Sequence, residues 1–376
     1  MNPENLLLLA DSDHDANMLY AVGMFVPDPF IFLRLGGKNY VILNDLEIDR
    51  ARREVKNCEV ISLSSCQVKY RKKRGKLPNY GEVIAAFLKE HKEKRVHVPH
   101  NFPLGWARAL KDKGIKIKVK KGGFFPEREL KAPEEVKKLS AALMMAEVGL
   151  AEGIQALKSS KSNKRGQLVY RNSVLTSERL RAVIDTAIIQ AGGVANRTIV
   201  AGGLQACDPH EVGHGPLKAN QLIILDVFPR SQKTGYFGDI TRTVVKGKAS
   251  EAARKLYHTV ARGQEIAFKE IAHGIKGAEV HGKVTAYFEA QGYKTGKQGG
   301  RMQGFFHGTG HGLGLEIHES PRISPTSQDT LQAGHVLTVE PGLYYPSIGG
   351  VRLEDVAYIT PSGPRNLTKF EKVLEI

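Results

Sequence analysis

The chain has 376 residues, enough for two domains of ordinary size. Hydrophobic residues make up 41% of the sequence, and no apolar run approaches the roughly 20 residues needed to cross a bilayer, which excludes a membrane-embedded protein. The apolar stretch at residues 6–10 is too short for a signal peptide. The three cysteines, Cys58, Cys66 and Cys207, are odd in number and lack CxxC spacing, which predicts reduced thiols, a cytoplasmic location and no zinc-thiolate site.

The net charge of +16 raises the question of an acidic partner. The segment KDKGIKIKVKKGG, residues 111–123, alternates lysines with aliphatic residues and predicts an edge strand whose lysines hinder aggregation. No zinc-finger, RNP-like or helix-turn-helix pattern accompanies it, so we do not expect a nucleic-acid partner.

The first third of the chain alternates short strand and helix patterns. Residues 30–43 predict a β-hairpin around Gly36 and Gly37, residues 80–94 an amphipathic helix, and RVHVP after them a strand. These patterns indicate a small α/β domain, and nothing in it resembles an active site.

The pattern changes before Pro133, which suits the first turn of a helix and is followed by two glutamates. We therefore divide the chain into residues 1–128 and 129–376. Helical spacing continues to about residue 157, and three more helices are predicted over residues 177–190, 250–273 and 277–291.

Acidic residues interrupt the apolar strands of the second domain. A lone buried carboxylate is costly unless it is paired or binds a metal. Here four strand-like segments each carry one or more: LIILDVF with Asp226, GYFGDITRTVV with Asp239, HVLTVEPGLYY with Glu340, and GGVRLEDVAYI with Glu354.

The two-residue period of a strand places Arg352 and Glu354 on one face, and Thr338 and Glu340 on one face of another strand. Converging carboxylates would require cations. The glycine-rich segment HGTGHGLGLEIHESPR, residues 307–322, could add one imidazole. Such an oxygen-rich shell suits a pair of divalent metal ions, which would hold a hydroxide for attack on a carbonyl.

The motifs GDITRT, HGTGHGLGLEIHESP, TVEPG and VRLED together resemble those of the pita-bread metallopeptidases, the family of methionine aminopeptidase, aminopeptidase P, prolidase and creatinase. The resemblance covers nearly all of residues 130–376. It implies an α+β fold, with a curved, mainly antiparallel sheet backed by helices, and it extends more weakly to the N-terminal α/β domain of the creatinase-like branch. It also implies five metal ligands: Asp226 on one metal, Asp239 and Glu354 bridging both, and His311 and Glu340 on the other.

Further site residues follow from the same resemblance. His210 and His318 match active-site histidines, although His214 is an alternative to His210, and Glu340 could also move a proton. His307 and Arg352 match the proline-directed branch, and Arg322 occupies the position that in prolidases binds the carboxylate of a short substrate. The sequence departs from the family pattern in that Asp226 and Asp239 lie 13 positions apart, two more than usual, and in having Phe228 in place of a glycine. We expect a longer hairpin loop there.

The resemblance implies hydrolysis of Xaa-Pro bonds at the N-terminus of dipeptides or short peptides, by a homodimer that needs two divalent ions. Mn²⁺ or Co²⁺ is favoured over Zn²⁺ or Fe²⁺, while the choice between dipeptides and longer peptides stays open. Two alternatives are a creatinase-like amidinohydrolase, which works without metal, and a non-enzymatic pita-bread binding protein.

Overall fold

The computed structural model describes residues 4–376, and the chain divides into two compact units, Met1–Arg128 and Glu129–Ile376. No helix within the described residues is long and apolar enough to span a membrane.

The N-terminal unit is built on a six-stranded mixed sheet. Its elements are β1 (Leu6–Ala10), α1 (Ala16–Val22), β2 (Phe30–Leu35), β3 (Lys38–Leu43), α2 (Ile48–Glu54), β4 (Glu59–Ser62), α3 (Leu63–Arg74), α4 (Tyr80–Glu90), β5 (Arg95–Val98), α5 (Leu104–Asp112) and β6 (Lys116–Val119). The strand order is β4-β3-β2-β1-β5-β6. β1, β2 and β3 pair antiparallel, whereas β4, β5 and β6 join the sheet in parallel.

The continuous apolar run in β1 reflects burial on both faces of this sheet. Leu6 and Leu8 enter one hydrophobic cluster, while Leu7 and Leu9 enter another on the opposite face. The predicted hairpin and the helix starting at Tyr80 are confirmed, and β6 is the edge strand that the lysine alternation predicts.

Four helices of the C-terminal unit lie where the sequence predicts them. They are α6 (Pro133–Lys158), α7 (Ser177–Gln190), α8 (Glu251–Glu270) and α9 (Gly277–Ala290). Thr176 and Ser250 cap α7 and α8 by accepting hydrogen bonds from backbone N–H groups three residues on. The prediction that α8 reaches residue 273 is too long by three residues.

The strands of the C-terminal unit pair antiparallel throughout its sheets. They are β7 (Lys161–Ser162), β8 (Leu168–Tyr170), β9 (Ser173–Val174), β10 (Gly193–Val194), β11 (Ile199–Gly202), β12 (Leu222–Val227), β13 (Arg230–Ser231), β14 (Ile240–Val245), β15 (Gly296–Gln298), β16 (Arg301–Gln303), β17 (Gly310–Gly312), β18 (Glu319–Ile323), β19 (Val336–Val339), β20 (Gly342–Tyr345), β21 (Gly349–Arg352), β22 (Asp355–Thr360) and β23 (Gly363–Asn366). The two largest sheets have the orders β11-β12-β14 and β18-β17-β19-β22-β23.

Two segments that the sequence predicts as continuous strands are each broken in two. The first breaks between β19 and β20, at Glu340 and Pro341, and the second between β21 and β22, at Leu353 and Glu354. At each break the chain leaves one sheet for another, since β19 and β22 pair together and β20 and β21 form their own pair. Proline cannot donate a ladder hydrogen bond, which favours the first break. Both glutamates therefore lie at strand ends.

The segment between Asp226 and Asp239 is not a simple hairpin loop. Within it β13 pairs with β10, outside the sheet of β12 and β14. Phe228 is half-buried against a cluster that includes Ile224 and Tyr344. The longer spacing is thus accommodated by an excursion to a separate ribbon, and β12 and β14 stay in continuous register.

Candidate metal centre

Three predicted ligands converge in the interior of the C-terminal unit. One ligand atom each from Asp239, His311 and Glu354 lies within 4.8 Å of the other two, and all three residues are buried. Asp239 immediately precedes β14, His311 is the middle residue of β17, and Glu354 stands at the break before β22. The site therefore joins the ends of strands from two sheets.

The other two predicted ligands adjoin this group. The Nε2 atom of His311 lies 3.2 Å from Oε1 of Glu340 and 3.8 Å from Oδ2 of Asp239. Asp226, on β12, is close enough for its charge to raise the pKa of Asp239. All five residues thus share one buried region.

Threonine hydroxyls orient the two glutamates. Thr241 donates to Oε2 of Glu354 at 2.7 Å, and its carbonyl accepts the Glu354 N–H. Thr338 accepts the N–H of His311 at 3.1 Å and donates to Oε1 of Glu340 at 3.3 Å. Strand alternation predicts Thr338 on the ligand face, whereas Thr241, which alternates with Asp239 in GDITRT, was not predicted from the sequence.

Glycines flank His311 because neighbouring backbone leaves no space for a side chain. A Cβ atom on Gly310 would lie 1.9 Å from the carbonyl oxygen of Thr338, and one on Gly312 would lie 2.1 Å from that of Ser320. Close strand approach thus accounts for the glycines that surround the imidazole.

The buried carboxylates of the site carry more negative charge than the protein's own cations balance. Burial, together with the charges of Asp226 and Glu340, raises the pKa of Asp239 well above its usual range. Burial and the charge of Asp239 do the same for Glu354. Burial also acts to raise the pKa of Glu340, but the hydrogen bond and charge of His311 outweigh it and bring the value to about 2. Carboxylates that destabilise one another in this way fit divalent cations.

The orientation of the His311 ring suits the same purpose. Its Nδ1 atom lies 3.1 Å from the carbonyl oxygen of Gly312, which can only accept, so Nδ1 carries a proton. Its Nε2 atom, on the other side of the ring, lies among the carboxylates. A backbone carbonyl that fixes the ring in this way is a frequent feature of metal-binding histidines.

Arg352 links the carboxylates to a second polar group. Its guanidinium donates to Oδ2 of Asp226 at 2.6 Å and to the hydroxyl of Tyr344 at 2.9 Å. Tyr344 lies 2.8 Å from Nε2 of His307, whose Nδ1 donates to the Gly308 carbonyl, so the tyrosine is the donor to this histidine. Burial raises the pKa of Tyr344 to about 12 and lowers that of His307, so both are neutral near pH 7.

Three predicted residues line the exposed side of the centre. The ring of His318 packs edge-on against His311, with centroids 4.5 Å apart, and burial and the charges of His311 and Arg322 lower its pKa to about 4. Arg322 pairs with His311 in the register of β17 and β18, and its side chain is exposed. His210 is close enough to lower the pKa of both His307 and His318.

The alternative histidine lies elsewhere. His214 is exposed, and its Nδ1 atom lies 3.7 Å from Oε1 of Glu211. Its backbone N–H and carbonyl both bond to Gln205. The contacts that the structure assigns to His214 are thus outside the centre, which favours His210 at this position.

A buried ion pair holds the backbone next to the metal centre. Arg242 lies 2.8 Å from Oδ1 of Asp355 and also donates to the carbonyls of Thr241 and Glu354. Asp355 accepts hydrogen bonds from Arg242, Asn366 and Lys372 and is not part of the carboxylate cluster. The arginine was missed because its position in an apolar strand resembles any solvent-facing charge; only the fold shows that it is fully buried.

Metallopeptidase family M24 matches residues 137–361, which is more than half of the chain. The chain belongs to this family. It is therefore a metallopeptidase, and the predicted pita-bread fold of the aminopeptidase P and prolidase branch is confirmed.

Named relatives cover most of the chain. It is 34% identical over 259 residues to the uncharacterized peptidase YqhT of Bacillus subtilis, covering 63% of this chain and 70% of that protein. It is 29% identical over 286 residues to an Xaa-Pro dipeptidase of Pyrococcus horikoshii, covering 75% of each. Among solved structures, the prolidase of Pyrococcus horikoshii superimposes with a TM-score of 0.78 at 26% identity, covering 99% of this chain and 95% of that one.

Proposed function

We propose that this metallopeptidase hydrolyses Xaa-Pro bonds at the N-terminus of short peptides, with two divalent cations held by Asp226, Asp239, His311, Glu340 and Glu354. The observation that carries the proposal is the buried cluster of carboxylates around a single imidazole, whose Nδ1 atom is held by the carbonyl of Gly312. The Xaa-Pro dipeptidase of Pyrococcus horikoshii, which is similar over three quarters of the chain, supports the substrate class.

Asp239 and Glu354 would be shared by both cations, in keeping with pKa values that burial and neighbouring carboxylates raise well above the usual range in each. Asp226 would complete the site of one cation, and His311 with Glu340 that of the other. An oxygen-rich set with one imidazole and no thiolate favours Mn²⁺ or Co²⁺ over Zn²⁺ or Fe²⁺. Such ions supply Lewis acidity that polarises a carbonyl and acidifies water.

The remaining chemistry belongs to the side chains. In hydrolysis, oxygen from water adds to the carbonyl carbon, the bond to the proline nitrogen breaks, and a proton moves to that nitrogen. Glu340 would carry this proton. His318, neutral near pH 7, would donate a hydrogen bond to the carbonyl region of the substrate, with His210 beside it.

The proline-directed residues would position the substrate. His307 is held through Tyr344 to Arg352, so these three side chains form one polar wall. Arg322 is exposed beside His318, where it could bind the carboxylate of a dipeptide. That position supports a preference for dipeptides over longer peptides.

The two alternatives are weaker. A creatinase-like amidinohydrolase works without metal and would not require the five metal ligands that this chain keeps. A non-enzymatic pita-bread binding protein would not need the ligand set that this chain keeps. A homodimer and a cytoplasmic location stay predictions, and sedimentation velocity tests the first of them.

The experiment removes metal from the purified chain with a chelator, restores Mn²⁺, Co²⁺ or Zn²⁺ in turn, and measures hydrolysis of Xaa-Pro dipeptides, Xaa-Pro-Yaa tripeptides and Met-Ala peptides. We expect activity on the proline peptides only, lost on chelation and restored most strongly by Mn²⁺ or Co²⁺. Release of methionine with proline peptides untouched would reject the substrate. Activity that persists after verified metal removal would reject the metal.

A further inference from the structure

The N-terminal unit contains a groove that the proposed peptidase reaction does not use. It lies between α3 and α4 and has a volume of about 980 Å³. Its apolar lining includes Ile61, Val83 and Phe87, with Tyr70 and Cys66 beside them. A groove of this size is at the upper end of those that bind ligands.

The rim of the groove is strongly cationic. Its lining includes six basic side chains but two carboxylates, those of Glu82 and Glu90. Both carboxylates are already neutralised: Glu90 by Lys69 at 2.8 Å, and Glu82 by Lys76 at 2.9 Å and Lys113 at 3.2 Å.

Three cations of the groove are left over. Among residues 4–376, no carboxylate pairs with Lys73, Arg74 or Lys89. The neighbouring sequence KYRKKRGK, residues 69–76, holds six basic residues and no acid. Basic runs of this density commonly bind polyanions.

The N-terminal unit gains little stability from helix α3. None of its twelve residues is buried, Val68 is 53% exposed, and the following Leu77 is 64% exposed. Its like-charged residues repel one another at one-turn spacing, as Lys69 does with Lys73. A helix that exposes apolar side chains and concentrates repelling charge is expected where a partner covers it.

We propose that this groove binds single-stranded nucleic acid. Lys73 and Arg74 on α3 and Lys89 on α4 suit a phosphate backbone that follows the groove, and the apolar floor with Tyr70 offers a surface on which bases can pack. An acidic peptide would match the charge but has no bases to pack on that floor. The sequence predicts no nucleic-acid partner because it lacks the known motifs, but the fold brings these cations and the apolar floor together in one groove.

The test measures binding of a fluorescein-labelled 12-nucleotide oligo(U) RNA to the full chain by fluorescence anisotropy, over a series of KCl concentrations. We expect affinity to fall steeply with salt, because each phosphate contact on a single strand contributes about 0.7 to the slope of log K against log salt. Changing Lys73, Arg74 and Lys89 together to Gln should raise Kd at least tenfold and reduce the slope by about 2.

A matched variant controls for net charge. Lys116, Lys118 and Lys121 carry the same charge in the same unit but do not line the groove. Their joint change to Gln should leave Kd within about twofold. An equal loss in both variants, or no binding by the unaltered chain, would overturn the proposal. Thermal unfolding followed by circular dichroism, unchanged in either variant, verifies that each has folded.

A measurement on the unaltered chain locates the ligand. Cys66 lines the groove, whereas Cys58 is half-buried elsewhere in the unit. RNA should slow alkylation of Cys66 by N-ethylmaleimide several-fold, read by mass spectrometry, and leave that of Cys58 unchanged. Equal protection of both thiols would overturn the location. Tighter binding of an oligoglutamate of the same charge would replace nucleic acid with an acidic peptide.

Discussion

Glu354→Gln separates metal binding from folding more cleanly than any other change at the centre. Gln has the shape of Glu and can still accept the hydrogen bond from Thr241. The change also removes a buried carboxylate whose own pKa is raised by burial and by the charges of Asp239 and Glu340. We therefore expect the metal-free variant to be at least as stable as the unaltered chain.

The loss of metal affinity should be large. Changing residues that merely support a ligand costs 10–100-fold in metal affinity, so replacing a ligand shared by both ions should cost at least about 100-fold, or about 2.7 kcal/mol. Metal at 100 times Kd stabilises the folded state by about 2.7 kcal/mol. For a unit of the size of Glu129–Ile376, that corresponds to a rise in Tm of about 5–10 °C, which the variant should lose.

The assay combines metal content with thermal unfolding. Chains stripped of metal are dialysed against Mn²⁺, the bound metal is counted by mass spectrometry, and Tm is measured with and without Mn²⁺. Glu371→Gln, a change at an exposed carboxylate of the same unit, is the control. Two bound ions per chain in Glu354→Gln, or the same loss in Glu371→Gln, would refute the assignment of Glu354 as a shared ligand.

Three further outcomes follow from contacts in the C-terminal unit. Arg322→Ala should lower kcat/KM for Xaa-Pro dipeptides by about one to two orders of magnitude and change kcat/KM for tripeptides little. If the ratio of the two kcat/KM values is unchanged, Arg322 does not bind the substrate. Lys131→Met removes the ammonium group that lies 2.8 Å from the buried carboxylate of Glu319, so urea unfolding should show a loss of about 3–5 kcal/mol, partly recovered by adding Glu319→Gln. Burial lowers the pKa of His335 to about 4. The contribution of His335 to the free energy of unfolding should therefore be full above about pH 6.5 and be lost as the pH falls towards 4. His335→Gln should flatten this dependence, and an unaltered pH profile of the free energy of unfolding would contradict it.

Local patterns determined the helices, the strands and the candidate ligands. Capping residues and apolar periods depend on neighbours within a few positions, so Pro133, Thr176 and Ser250 were sufficient to place helix starts. The alternation of strand faces likewise predicted that Thr338 would share the side of Glu340, and their hydrogen bond bears this out.

Only the tertiary structure decided where those strands end and what stands behind them. The breaks at Glu340 and Glu354 arise because β19 and β22 pair in one sheet while β20 and β21 pair with each other. These pairings join segments that are distant in the sequence, so a local residue pattern does not predict them. For the same reason the sequence could not distinguish Arg242, fully buried against Asp355, from an exposed arginine, nor place Tyr344 between His307 and Arg352. Burial depends on every layer packed around a residue, and hydrogen-bond partners more than a hundred positions apart meet only after the sheets assemble.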